Sequence, residues 1–206
     1  PFDINRLELT GSPVPALEGV AASTGAGNNS GGAAAIATSE TGTFVYLPGQ
    51  AVTANAPIQW MDRAGKVMPL RASVSDWANP QFSPDGRRLA IEITSGPRQD
   101  VWVDEWARDT LMRLTINAAN NAKPVWTPDG RRIVFRSDRA GPGGTYNLYW
   151  QRADGTGEVQ RLTESKNTQL PSSWHPSGKY LAFFETNLLT GNDLMILPIE
   201  GDEGSG

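Results

Sequence analysis

Ser83-Pro84-Asp85-Gly86-Arg87-Arg88-Leu89-Ala90 reads as a tight turn running straight into a strand, and it recurs as Thr127-Pro128-Asp129-Gly130-Arg131-Arg132-Ile133-Val134. A looser copy is His175-Pro176-Ser177-Gly178 and a worn one is Ser39-Glu40-Thr41-Gly42. The four glycines, at 42, 86, 130 and 178, step by 44, 44 and 48 residues. The turn has a mechanism: proline presets φ at the second position of a type I turn, and glycine supplies the left-handed residue that closes a bulged hairpin. A motif returning at this pitch marks a repeat architecture.

Working outward, each copy is followed by short strands at matching places. The second repeat (76–118) offers Asn79 to Phe82, Arg88 to Ile93, Asp100 to Asp104 and Leu111 to Thr115. The third (119–166) offers Lys123 to Trp126, Arg132 to Phe135, Asn147 to Trp150 and Val159 to Thr163. The fourth (167–200) holds three strands, Pro171 to Trp174, Tyr180 to Phe184 and Asp193 to Leu197, and lacks its outer one. The first (33–75) is weaker, with strands at Ala33 to Thr38, Thr43 to Leu47, Pro57 to Asp62 and Lys66 to Leu70. All are short and bounded by Gly, Pro or Asn.

Residues 1–19 match the second half of a repeat, with Phe2-Asp3 ending one strand and Val14 to Leu17 forming an outermost strand. That strand is placed to pair with the open edge of the fourth repeat and close a ring. The Gly/Asn/Ser-rich run of residues 20–32 buries too little to order itself and is a loop, and residues 201–206 are a tail. The chain opens at Pro1 and reads as a piece of something longer.

Four-stranded units of this length with periodic aromatics predict an all-β chain, a β-propeller of about four antiparallel blades, either closed on itself or part of a larger ring. Phe82, Trp126 and Trp174 share one repeat position, and Trp102 and Tyr149 another, which argues for packing between blades. Trp77 and Trp106 stand outside this phase and are read as free to line a ligand surface.

A net charge of −4 argues against a nucleic-acid surface. Arg87-Arg88 and Arg131-Arg132 follow the turns and read as solvated shoulders. No apolar run approaches the ~20 residues of a membrane helix. The absence of cysteine excludes disulfides and thiolate metal sites, and a single histidine, His175, is too few for an imidazole metal centre or a histidine-based lyase. No G-x-S-x-G is present, and His175 occupies the turn position of Ser83 and Thr127, where capping is its role. Asp85 and Asp129 read as turn residues bonding their own backbone. Asp100, Asn147 and Asp193 open equivalent strands. The sequence therefore predicts no catalytic residue, metal or cofactor. It points to ligand-binding candidates on loops at one mouth of the channel: Asn79, Lys123 and Gln169 entering inner strands, and Arg98, Arg136, Asp138 and Arg139 between second and third strands.

Residues 82–90 and 126–139, with the Asn147-Leu148-Tyr149 strand and Arg161-Leu162-Thr163, resemble the TolB-type, WD-like propeller repeat over residues ~33 to ~200. Such repeats occur in the periplasmic protein TolB, in sensor regions behind bacterial membrane-anchored Ser/Thr kinases, and in propellers that gate prolyl-oligopeptidase-like peptidases. Phe2-Asp3, Leu7-Glu8-Leu9-Thr10-Gly11 and Pro13-Val14-Pro15 are most similar to the kinase-associated group. The resemblance implies a non-catalytic sensor or interaction module, extracytoplasmic or periplasmic, that takes a protein, peptide or glycan. The alternative it carries is the accessory propeller of a hydrolase. Open blade edges add a route to a homodimer.

Overall fold

The structure, a computed structural model, describes residues 2–3, 6, 8–9, 11, 36–38, 43–46, 57–71, 73, 75–117, 119–140 and 144–199. A two-stranded hairpin pairs β1 (Phe2–Asp3) with β2 (Glu8–Leu9). Three four-stranded antiparallel sheets follow. The first holds β3 (Ile36–Thr38), β4 (Phe44–Tyr46), β5 (Gln59–Met61) and β6 (Val67–Pro69). The second holds β7 (Asp76–Phe82), β8 (Leu89–Ser95), β9 (Arg98–Glu105) and β10 (Thr110–Arg113). The third holds β11 (Asn121–Trp126), β12 (Arg132–Ser137), β13 (Asn147–Arg152) and β14 (Gln160–Arg161). The last sheet has three strands, β15 (Thr168–Trp174), β16 (Tyr180–Asn187) and β17 (Gly191–Pro198). Val14 to Leu17, the 20–32 loop, the Ser39 turn and the tail lie outside the described residues.

Each sheet is an up-and-down meander, and successive sheets stack face to face: β3 lies beside β7, β11 packs on β7 to β9, and β15 packs on β11 to β13. This is the blade arrangement of a propeller. The turn that opens each hairpin is built as its residues dictate. Gly86 and Gly130 take φ of 65° and 66°. The Ser83 hydroxyl accepts from Arg88 N–H at 2.9 Å, and Asp85 Oδ1 accepts from Arg87 N–H at 3.1 Å. Thr127 and Asp129 repeat both bonds at 3.0 Å. In the fourth repeat His175 Nδ1 takes over, accepting from Ser177 N–H at 3.2 Å, so the one histidine caps a turn.

A second repeated lock explains the Arg-Leu-Thr ending. Val101 N–H donates to Thr115 Oγ1 at 3.0 Å, and the buried Asp100 carboxylate receives Thr115 Oγ1 at 2.9 Å and Arg113 Nη2 at 2.6 Å. In the third sheet Leu148 N–H donates to Thr163 Oγ1 at 3.0 Å, and Asn147 receives Arg161. Asp100, third in β9 where the sequence predicts that it opens the strand, and Asn147, first in β13, thus each pin the outer strand of their own blade.

The core lies in the seams. Val45, Ile58, Trp77, Leu89, Ile91 and Ile93 fill the first, against Trp60, Phe82 and Trp106. Ala90, Val103, Trp126, Ile133, Phe135 and Tyr149 fill the second, and Val134, Leu148, Leu181 and Phe183 the third. At about 1.5–3 kcal/mol per fully buried large side chain, these seams supply the dominant stabilising term. Two readings of the sequence are corrected here. Trp77 is buried in the first seam, and Trp106 stands edge-on to Trp60 at 5.1 Å and to Phe82 at 6.0 Å, so both are packing residues. Only the first arginine of each pair, Arg87 and Arg131, is exposed. Arg88 instead lies over Trp126 at 4.6 Å and donates to Gly130 O at 2.8 Å, while Arg132 lies over Trp150 at 4.2 Å. Stacking on an indole shields both guanidinium planes from water.

Register shows what each blade offers the next. Val101 pairs with Glu92 and Val103 with Ala90, as Leu148 pairs with Arg136 and Leu194 with Phe184. Val101 and Leu148 are fully buried under the following sheet, whereas Leu194 is 64% exposed. Among the described residues no comparable packing joins the last sheet to the first.

Candidate functional site

Two inner strands carry the same irregularity. In β7 the register shifts between Ala78 and Gln81, and in β11 between Ala122 and Val125. The extra residue in each is a β-bulge. Within it Asn79 and Lys123 take φ of 50° and 56°, each followed by proline. Left-handed backbone in a residue with a Cβ costs on the order of 1–3 kcal/mol, least for Asn. The last sheet has its bulge at the same place, between Pro171 and Ser173. There the pyrrolidine ring of Pro171 holds φ negative, so that sheet cannot repeat the conformation.

The bulge brings polar groups of neighbouring sheets together. Asn79 Nδ2 donates to Glu92 Oε2 at 2.7 Å, and the backbone N–H of Lys123 donates to the same oxygen at 3.2 Å. The Lys123 ammonium donates to Asn79 Oδ1 at 2.8 Å. Arg136, one strand away, lies over the Tyr146 ring at 4.5 Å, and its Nε is buried without an acceptor. Burial pushes the Lys123 ammonium below its usual pKa; Glu92 opposes this and Arg136 adds to it. Burial likewise raises the Tyr146 phenol, with Asp138 adding to the rise and Arg136 opposing it. The cluster is therefore a half-buried polar patch of two cations, one buried carboxylate, an amide and a phenol, in the seam between the second and third sheets.

The sequence candidates divide accordingly. Asn79 and Lys123 lie within inner strands, not in loops before them, and Arg136 lies within β12; these three are brought together. Asp138 and Arg139 follow β12 and are occupied. Asp138 accepts from Asn120 N–H at 2.7 Å and Asn120 Nδ2 at 2.8 Å. Arg139 donates to Asn121 Oδ1 at 2.9 Å and Ser137 Oγ at 3.1 Å, with its guanidinium over Tyr149 at 4.8 Å. These bonds make Arg139 an internal brace of the third sheet, and burial lowers its pKa. Gln169, buried in β15, donates to Glu185 Oε2 at 2.7 Å one seam further on. Arg98 opens β9 on the exposed surface, apart from the rest. Glu92 and Tyr146 were missed. Glu92 was legible as the one charged residue in β8, at the same distance from Gly86 as Arg136 from Gly130.

Among the described residues no group of three or more His, Cys, Asp or Glu side chains could hold a metal ion. The stacked meanders, the turn chemistry and the Arg-Leu-Thr lock decide the family, and a profile of the TolB beta propeller domain matches residues 68–200. The chain belongs to the TolB β-propeller domain family. No curated protein matches it. Among solved structures, this TolB-type propeller is similar to a putative TolB from Agrobacterium tumefaciens, at 24% identity and a TM-score of 0.62 over 73% of this chain and 53% of that one. TolB from Acinetobacter baumannii matches at 21% identity and a TM-score of 0.58, over 80% of this chain and 43% of that one. One of two prolyl endopeptidases studied for inter-domain dynamics matches at 16% identity and a TM-score of 0.60, over 80% of this chain and 28% of that one. This TolB-type propeller thus spans about half the length of the solved TolB structures it matches.

Proposed function

We propose that this propeller is a non-catalytic binding module, the sensor or interaction part of a longer extracytoplasmic bacterial protein, and that it takes a protein, peptide or glycan where Asn79, Glu92, Lys123 and Arg136 meet. The observation that carries this reading is the half-buried Lys123–Arg136 pair, whose charges have no ion-pair partner among the described residues. Rigid blades hold these groups in place, so little ordering entropy opposes binding. The membrane-anchored kinase context is part of the same proposal. It rests on the likeness of residues 2–15 to that group.

The test is an array of defined peptides and glycans probed with the 206-residue chain and with Lys123→Ala/Arg136→Ala. Specific signals that vanish with the double variant support the reading; signals indifferent to it, or turnover of a chromogenic prolyl ester by the wild type, overturn it. A second reading, a propeller gating a separate hydrolase domain, is favoured by the structural likeness to the prolyl endopeptidase. A complete reading frame carrying an α/β-hydrolase domain selects that reading, and one carrying a kinase domain and a membrane helix selects the first.

A further inference from the structure

We infer that the seam between the second and third sheets is a receptor for a single carboxylate of a bound peptide, held between the Lys123 ammonium and the terminal guanidinium nitrogens of Arg136. This rests on the binding-module reading above and names the chemistry that the module recognises.

The argument is one of unspent donors. An ammonium has three N–H groups, and that of Lys123 has one protein acceptor, Asn79 Oδ1 at 2.8 Å. Arg136 is anchored by its face on Tyr146 and has no acceptor from the protein among the described residues, although Arg88, Arg113 and Arg139 do. Arg88 has Gly130 O, Arg113 has Asp100, and Arg139 has Asn121 and Ser137. The two nearby carboxylates do not fill the gap. Glu92 points its Oε2 at Asn79 Nδ2 and the Lys123 backbone N–H, and Asp138 is spent on Asn120. Two partly desolvated cations side by side repel each other and cost free energy until an anion joins them.

Charge selects the anion. Glu92 and Arg136 are the charged groups acting on Lys123, and Asp138, which also acts on Tyr146, is offset by Arg139, so the local sum of Lys123, Arg136 and Glu92 is one positive charge. A monoanion neutralises it, whereas a phosphate dianion would overshoot and meet Glu92. A planar carboxylate also suits a guanidinium whose plane is fixed against a ring. Tyr146 stays neutral, its phenol pushed up by burial, and adds no competing negative charge.

Two sources of the carboxylate, an acidic side chain and a free C-terminus, are separated by four blocked or unblocked probes. These are a pentapeptide of glycines with a central glutamate and both ends capped, its glutamine counterpart, pentaglycine with a free carboxyl end, and inorganic phosphate. Calorimetry on the 206-residue chain should show the glutamate peptide, the free-ended peptide or both binding at least tenfold more tightly than the glutamine peptide. Lys123→Met and Arg136→Gln should each remove that preference, and Arg98→Gln should keep it. Because a core-facing variant can lose its fold, the Lys123 side-chain titration of the wild type is followed by NMR as well; an acid probe should move it upward in pH and the glutamine peptide should not. Equal binding of acid and amide peptides, tighter binding of phosphate, no binding of either acid probe, or an unmoved Lys123 titration overturns the inference. Array hits with uncharged peptides or glycans would leave the module reading standing in each of those cases.

Discussion

The Lys123 ammonium reaches Asn79 Oδ1 at 2.8 Å, joining the left-handed bulge residues of two neighbouring sheets, 44 positions apart in the chain. Repeat-equivalent residues thus touch each other across a seam. The strained backbone at each bulge is coupled to the contact between the sheets, and the polar cluster is held by both.

Asn79→Ala removes a donor from Glu92 and places a methyl on left-handed backbone, so it should destabilise by about 1–3 kcal/mol. Asn79→Gly loses the same bond but fits the backbone, recovering on the order of 1 kcal/mol of that. Urea unfolding of the two variants separates backbone strain from hydrogen bonding; equal losses would show that the bulge carries no strain.

The Asp100–Arg113 lock should be sensitive to losing its cation and tolerant of losing its charge. Arg113→Met leaves the buried Asp100 carboxylate with Thr115 and Asn121 only. With Arg113 about one-third exposed, the cost is discounted from that of a fully buried pair to about 1–3 kcal/mol. Asp100→Asn should cost less than about 1 kcal/mol, since Asn147 fills this place in the next blade. Thermal melts of both variants rank them.

Trp126 anchors the second seam through its ring and through an indole N–H that donates to Gln81 O at 2.9 Å. Trp126→Ala should cost about 3–5 kcal/mol. Trp126→Phe, which keeps most of the ring, should cost roughly 1–3 kcal/mol. Chemical denaturation that shows the two equal would mean that the ring contributes nothing to the seam.

Acid should weaken the turns. The Ser83 hydroxyl, outweighing the cost of burial, and the Arg87 N–H hold the Asp85 carboxyl below its ordinary value of 3.8. Burial pushes Asp129 up, but Thr127 and the Arg131 N–H together draw it below the same value. A carboxyl depressed in the fold contributes stability that is present above the unfolded pKa and lost as pH falls through the folded one. Unfolding free energy should therefore drop as pH goes below about 4, and Asp85→Asn/Asp129→Asn should flatten that drop while lowering stability at neutral pH. An unchanged slope in urea titrations between pH 4 and 2 would contradict the assignment.

Equivalent positions should respond oppositely according to the sheet that covers them. Leu148→Lys buries a charge under the last sheet and should cost more than about 4 kcal/mol, whereas Leu194→Lys, at an exposed place, should stay within about 0.5 kcal/mol. Circular-dichroism melts of the pair test whether register equivalence or coverage sets the cost.

Much of this was legible in one dimension. The turn residues act locally, through bonds spanning two to five positions, so Ser83, Asp85, Thr127, Asp129 and His175 could be assigned their roles before any strand was placed. Asn79 and Lys123 stood out as repeat-equivalent residues before proline. Glu92 did not, because its meaning depends on which face of β8 meets β11. Trp77 and Trp106 were misread as free for the same reason: their partners lie in other strands or another sheet, at separations that periodicity does not encode.

What the sequence alone determined was the meander, its pitch and its turns, because proline, glycine and short polar side chains constrain φ and ψ over a few residues. Only the tertiary structure decided which side chains face a neighbouring sheet and which face water. Coverage is a property of the seam, and it made Arg88 and Arg139 braces while leaving Lys123 and Arg136 with donors to spare. The physical reason is that the cost of burying a charge depends on the partners a second sheet supplies, and no local rule of the chain contains them.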